Sequence, residues 1–157
     1  MRNSIALLFL SGALLLASCD LFGSENGEPL VFQNVEDAEP LKVQNAQTAV
    51  FKGEATWTTF WEEHVTQINA DGEQIAPPEV NFAENMLIAV FWGDNGYAGC
   101  SFFAEAIKGV SAQSDALIVE IGKLPDLGPC RMSVMPLHVI KVDRTEAAVV
   151  FKGRVPH

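Results

Sequence analysis

Positive charge is scarce in this chain: ten lysines and arginines stand against twenty aspartates and glutamates, a formal net charge of −10. That balance argues against nucleic acid as a partner, because a phosphate backbone demands a basic footprint. It also argues against attachment to anionic lipid through basic side chains. Histidine is rare as well, limited to His64, His138 and His157, and neither H-E-x-x-H nor C-x-x-C occurs, so the usual zinc-ligand spacings are missing. Without G-x-S-x-G, G-x-G-x-x-G or a P-loop, the chain lacks the signals of a hydrolase nucleophile elbow and of a phosphate cradle. Asp94-Asn95-Gly96 and Asn69-Ala70-Asp71-Gly72 each resemble a fragment of a calcium loop, but both lack the full ligand series and read as turns. The sequence therefore assigns no catalytic residue, no metal ligand and no cofactor, and points away from an enzyme.

What is present begins with an address. Arg2 is followed by an apolar run, Ile5 to Leu16, broken only by Ser11 and Gly12. This run is too short to cross a hydrocarbon core about 30 Å thick, which takes roughly 20 apolar residues, and reads as a secretion signal over residues 1–18. Leu16-Ala17-Ser18-Cys19 resembles the bacterial lipobox, in which the chain is cut before the cysteine and the thiol is thioether-linked to diacylglycerol. The resemblance implies lipidation at Cys19, a membrane anchor made of acyl chains and a place in the cell envelope, facing periplasm or exterior. The other reading is an ordinary signal peptide cut after a small residue. Residues 19–29, rich in Gly, Ser and acid, read as a flexible tether, and residues 30–157 as a single domain.

Three cysteines occur, and pairing works in even numbers. With Cys19 assigned to lipid, Cys100 and Cys130 remain to form a disulfide in an oxidising compartment. Closing that loop of about 30 residues contributes roughly 3.5 kcal/mol in the chain-entropy account. A redox role would require a thiol near positive charge, which only Arg131 offers.

The strongest pattern runs from Met86 to Ile107. An unbroken apolar run, the turn Gly93-Asp94-Asn95-Gly96 and a second run of small and aromatic residues predict a central β-hairpin. A helix is expected from an N-cap at Thr56 through Ile68, with Trp57, Phe60, Trp61, His64, Val65 and Ile68 on its buried face. Strands are expected at Leu30 to Phe32, within Leu41 to Lys52, and at Ala116 to Ile121. A closing hairpin of Leu137–Val142 and Ala147–Phe151 follows, turned at 143–146. Lys108 to Asp115 reads as turn material, and Lys123 to Pro136 as a shaped loop. The fold class is α+β: mainly antiparallel sheet or a half-open sandwich of six or seven strands, with one amphipathic helix packed on it. Exposed aromatic and methionine side chains on rigid loops suit a protein interface, which singles out Trp92, Tyr97, Leu127, Met132 and Met135 as partner-binding residues. The bland alternative is that they plug the end of the sandwich.

Trp57-x3-Trp61-x2-His64, Pro78-Glu79-Val80-Asn81-Phe82, the strand Met86 to Phe91, Gly93 with Asn95-Gly96-Tyr97, and Pro136-x-His138-Val139-Ile140-Lys141-Val142 follow in an order that resembles the PrcB C-terminal domain family over about residues 50–152. Asn81 departs from the acid expected in its phrase. The resemblance implies a lipoprotein-borne accessory domain without catalytic residues. It also implies a partner in the envelope such as an exported subtilisin-like protease. The competing role is a lipoprotein that binds a small ligand or peptide.

Overall fold

The computed structural model describes residues 27–156. The expected signal peptide, Cys19 and residues 20–26 of the expected tether lie outside the described residues. The elements are β1 (Glu28–Pro29), β2 (Gln33–Asn34), a 3-10 turn (Glu36–Ala38), β3 (Gln47–Phe51), α1 (Glu54–His64), β4 (Asn85–Phe91), β5 (Ala98–Gly99), β6 (Ile107–Gln113), β7 (Ala116–Ile121), β8 (Met132–Ser133), β9 (Leu137–Asp143) and β10 (Ala148–Gly153). Two four-stranded sheets form, ordered β1-β6-β7-β10 and β2-β9-β4-β3, beside a small β5-β8 pair. The fold is thus an α+β sandwich, with six strands of five residues or more and one α-helix among the described residues.

Strand β4 is the middle of a three-layer structure, which explains why its sequence does not alternate. Met86, Ile88 and Val90 point toward the β6-β7 sheet and pack with Val110, Leu117, Val119, Ile121, Ile140 and Val142. Leu87, Ala89 and Phe91 point the other way and pack with Trp57, Trp61, Leu41 and Val43. A strand covered on both faces requires apolar residues at both parities, and from Met86 onward the strand is essentially inaccessible.

The expected central hairpin is corrected. Gly93 to Gly96 does turn the chain, with Gly93 at φ 69° and Gly96 at φ 74°. A Cβ on Gly93 would lie 2.6 Å from the Gln44 carbonyl oxygen, so only glycine fits there. Both edges of β4 are already occupied, by β3 and β9, so the chain after the turn cannot pair back. It pairs instead as β5 with β8, from the loop 123–136. The true hairpin is β6–β7, whose first strand occupies the expected turn at 108–115. It reverses at Ser114, whose φ of 53° is the one positive value among described non-glycine residues. The expected closing hairpin is also corrected. β9 is flanked by β4 and β2, so β10 crosses to the other sheet and pairs parallel with β7. Ordered pairing begins earlier than Leu30, because Glu28 and Pro29 register with Ala112 and Ser111. Leu30 to Phe32 is the crossover between β1 and β2 rather than a strand.

Helix α1 starts at an extended Gly53, not at Thr56, whose hydroxyl donates to the Gly53 carbonyl at 2.8 Å. It ends at His64 because Val65 turns extended and bridges to Leu41. Ile68 therefore leaves the expected buried stripe and is 64% exposed. Trp57 and Trp61 are each 1% exposed, and the Trp61 indole N–H donates to the Ile75 carbonyl at 2.6 Å. Trp61→Ala should therefore lower unfolding free energy by about 3 to 5 kcal/mol, the usual cost of truncating a large buried aromatic. Thr59→Ala on the outer face should leave it nearly unchanged. Chemical denaturation of the two variants checks this, and equal midpoints would contradict the placement.

Candidate protein-binding surface

The sequence-selected partner residues gather at one end of the sandwich, and most of them face inward. Trp92 is 5% exposed and packs with the inter-sheet core; Leu127 is 9% exposed and packs with Ala104 and Val134. Tyr97 is half-buried against both clusters, and its carbonyl accepts from Val134 N–H at 3.0 Å. Met135 is half-buried, and Met132 alone stands clear, at 52% exposed. These residues close the end of the core, so the bland alternative describes Trp92 and Leu127.

What holds this end together is the staple. Cys100 and Cys130 are bonded, with Cα atoms 4.9 Å apart. Cys100 N–H donates to the Leu127 carbonyl at 2.6 Å, and a Cβ on Gly99 would lie 2.4 Å from Leu127 Cβ. The loop carrying Cys130 thus lies directly on the backbone of β5, which needs glycine at residue 99.

Sequence reasoning treated His138 as an ordinary strand residue, and the structure makes it the polar node of the core. It is 1% exposed and lies on the face of β9 shared with Ile140 and Val142. Its Nδ1 accepts from Ile107 N–H at 2.9 Å, so a neutral ring carries its proton on Nε2. Nε2 then donates to Asn34 Oδ1 at 3.0 Å, and Asn34 Nδ2 donates to Glu105 Oε1 at 2.8 Å. The ring of Phe103 stands edge-on at 5.2 Å. One side chain thereby ties β2, β6 and β9 together. The apolar residues around it at both parities, Leu137, Val139 and Ile140, are the signal that could have placed it inward. Among the described residues, no group of three His, Cys, Asp or Glu is arranged to hold a metal ion.

The two long flanks of the sandwich differ. On one, residues 28–34 pair first with β6 and then with β9, so a single extended segment joins both sheets. On the other, no described strand pairs with the outer edge of β3 or β10. The inward-facing Val50, Val149 and Phe151 are only half-buried there. Arg144 secures the chain where it crosses between sheets: its Nη1 donates to the carbonyls of Lys52 and Phe82, and its Nε and Nη2 reach Glu146 at 3.3 and 3.2 Å. Lys52, then Arg144, hold the Glu146 carboxyl below its usual range.

Compared with known protein families, curated proteins and solved structures, the chain matches none.

Burial, and then the charge of Lys108, push the His138 pKa from 6.5 down to about 4. Between those values the unfolded chain binds a proton that the folded chain refuses. Stability is therefore full above pH 6.5 and falls as pH drops toward 4, by about 3 kcal/mol in total. Denaturant titrations from pH 7 to 4 should show this loss, and His138→Gln should remove most of it. An unchanged slope in the variant would contradict the neutral buried ring.

Proposed function

We propose that this chain is a lipid-anchored protein-binding domain of the bacterial cell envelope, without catalytic activity of its own. Its role would be of the accessory kind implied by the resemblance to the PrcB C-terminal domain family. The partner on this reading is an exported protein such as a subtilisin-like protease, and the acyl chains on Cys19 hold the domain at the membrane.

The observation that carries the reading is the pairing of cysteines. Cys100 and Cys130 are bonded to each other, which leaves Cys19 with no further cysteine of this chain to pair with. Cys19 is also the one preceded by Leu16-Ala17-Ser18. A disulfide that staples a loop suits an oxidising compartment, and a lipobox-like cysteine suits a route into it. The protein-binding half of the proposal is supported by the open flank. A sheet edge with unpaired peptide groups is a natural template for another chain.

Cys19→Ala should release the protein from the membrane fraction. The mature wild-type chain should begin at residue 19, carry the added mass of diacylglycerol and partition into detergent. A mature chain without lipid mass, found in the aqueous phase, would contradict the anchor. Cross-linking in intact cells, followed by mass spectrometry of what co-purifies from solubilised envelope, tests the partner.

A further inference from the structure

The outer edge of β10 is laid open in a defined pattern. Ala148 N–H donates to the Asp115 carbonyl and Arg154 N–H to the Ile121 carbonyl, both across to β7. With the parallel register Ala148↔Ala116 through Gly153↔Ile121, the even-numbered peptide groups of β10 face β7. Those of Val149 and Phe151 therefore face outward, toward no described strand. The same two residues turn their side chains inward, where they meet the core but remain half-buried. Val50, on the neighbouring free edge strand β3, is in the same condition. The gap between β10 and β3 thus offers peptide hydrogen-bonding groups and apolar side chains together.

The fold closes its opposite flank with an extended segment, residues 28–34, that pairs with both sheets. The open flank has the room and chemistry for a segment of the same kind. Its charge says which kind. Residues 47–54 and 144–154 carry four basic residues, Lys52, Arg144, Lys152 and Arg154, against two acidic ones, Glu54 and Glu146. The remaining described residues carry five basic against sixteen acidic. The open flank is a positive strip on an otherwise strongly negative domain. Lys152 and Arg154 are exposed on it, Lys152 in register with the exposed Glu120 of β7, and Lys52 and Arg144 are tied to Glu146. Acidic chains are steered to such a strip and basic ones repelled, this domain's own acidic surface notwithstanding.

We propose that the β10 edge takes an extended, acidic segment of a partner protein as an added strand. The peptide groups of Val149 and Phe151 would bond its backbone, its alternate apolar side chains would lie beside Val149, Phe151 and Val50, and its carboxylates would face Lys152 and Arg154. The inference rests on the protein-binding reading and names the surface and the chemistry of what binds there.

The probe is a fluorescent decapeptide of alternating valine and glutamate, titrated by anisotropy against the full-length protein purified in nonionic detergent. Saturable binding is expected, weakened tenfold or more by K152E/R154E and by methylating the peptide's alternate backbone nitrogens. The matching valine–lysine peptide should not bind the wild type and should gain binding to K152E/R154E. Circular dichroism of the double variant should be unchanged, since both side chains are exposed. Absence of binding, or binding indifferent to charge reversal and N-methylation, would overturn the inference. So would sedimentation showing that the flank is occupied by a second copy of the chain. Partner cross-linking that survives K152E/R154E would also overturn it while leaving the protein-binding reading intact, whereas loss of every cross-link in the wild type would sink that reading itself.

Discussion

Double burial of the β4-β9 sheet is the constraint from which the rest of the architecture follows. Its even-numbered side chains form one half of the inter-sheet core, and its odd-numbered side chains form the floor on which Trp57 and Trp61 sit. A layer covered on both sides must satisfy its hydrogen bonds within its own plane, because no water reaches the interior backbone. β4 does so by pairing with β9 from Asn85 to Phe91 and with β3 from Leu87 to Phe91. Every later segment other than β9 must therefore pair elsewhere. The chain after Gly96 pairs with the stapled loop, and β10 crosses to the other sheet.

The same constraint separates what could be read in the sequence from what could not. The apolar run at 86–91, the tryptophan stripe of α1 and the Cys100–Cys130 pair were legible, because burial and cysteine parity leave marks on composition. Pairing partners were not. An Asn-Gly turn between two apolar runs is a local signal for a hairpin, and here it is overruled by the occupied edges of β4, which are set by residues up to some fifty positions away. Ile107 to Gln113 was hidden for a related reason. It includes Lys108 and Ser111, whose side chains lie off the inter-sheet core, and Gly109, which has none, so only Ile107 and Val110 mark it as buried strand. Trp92 and Leu127 could not be told from exposed residues because aromatic and aliphatic side chains look alike in sequence whether they close a core or, as Met132 does, stand exposed. The burial of Trp92 and Leu127 decides that question. That the flank is open could not be read locally, since an unpaired edge is a property of topology.

The two long flanks of the sandwich are unequal. One is sealed by residues 28–34, which pair with both sheets. The opposite flank, with its basic residues and half-covered Val149 and Phe151, is paired with no described strand. Edge strands are commonly guarded by lysine against indiscriminate pairing. Lys152 serves that purpose against like copies of this basic edge, while remaining compatible with an acidic strand, and so it selects as well as protects.

Native-state hydrogen exchange resolved to single amides tests this account most directly. In the isolated protein, β4 amides should exchange only through global unfolding. Along β10, Val150 and Lys152 should be protected by their bonds to β7, while Val149 and Phe151 exchange orders of magnitude faster. Uniform protection of Val149 through Lys152 would mean that the flank is already closed, and would contradict the account.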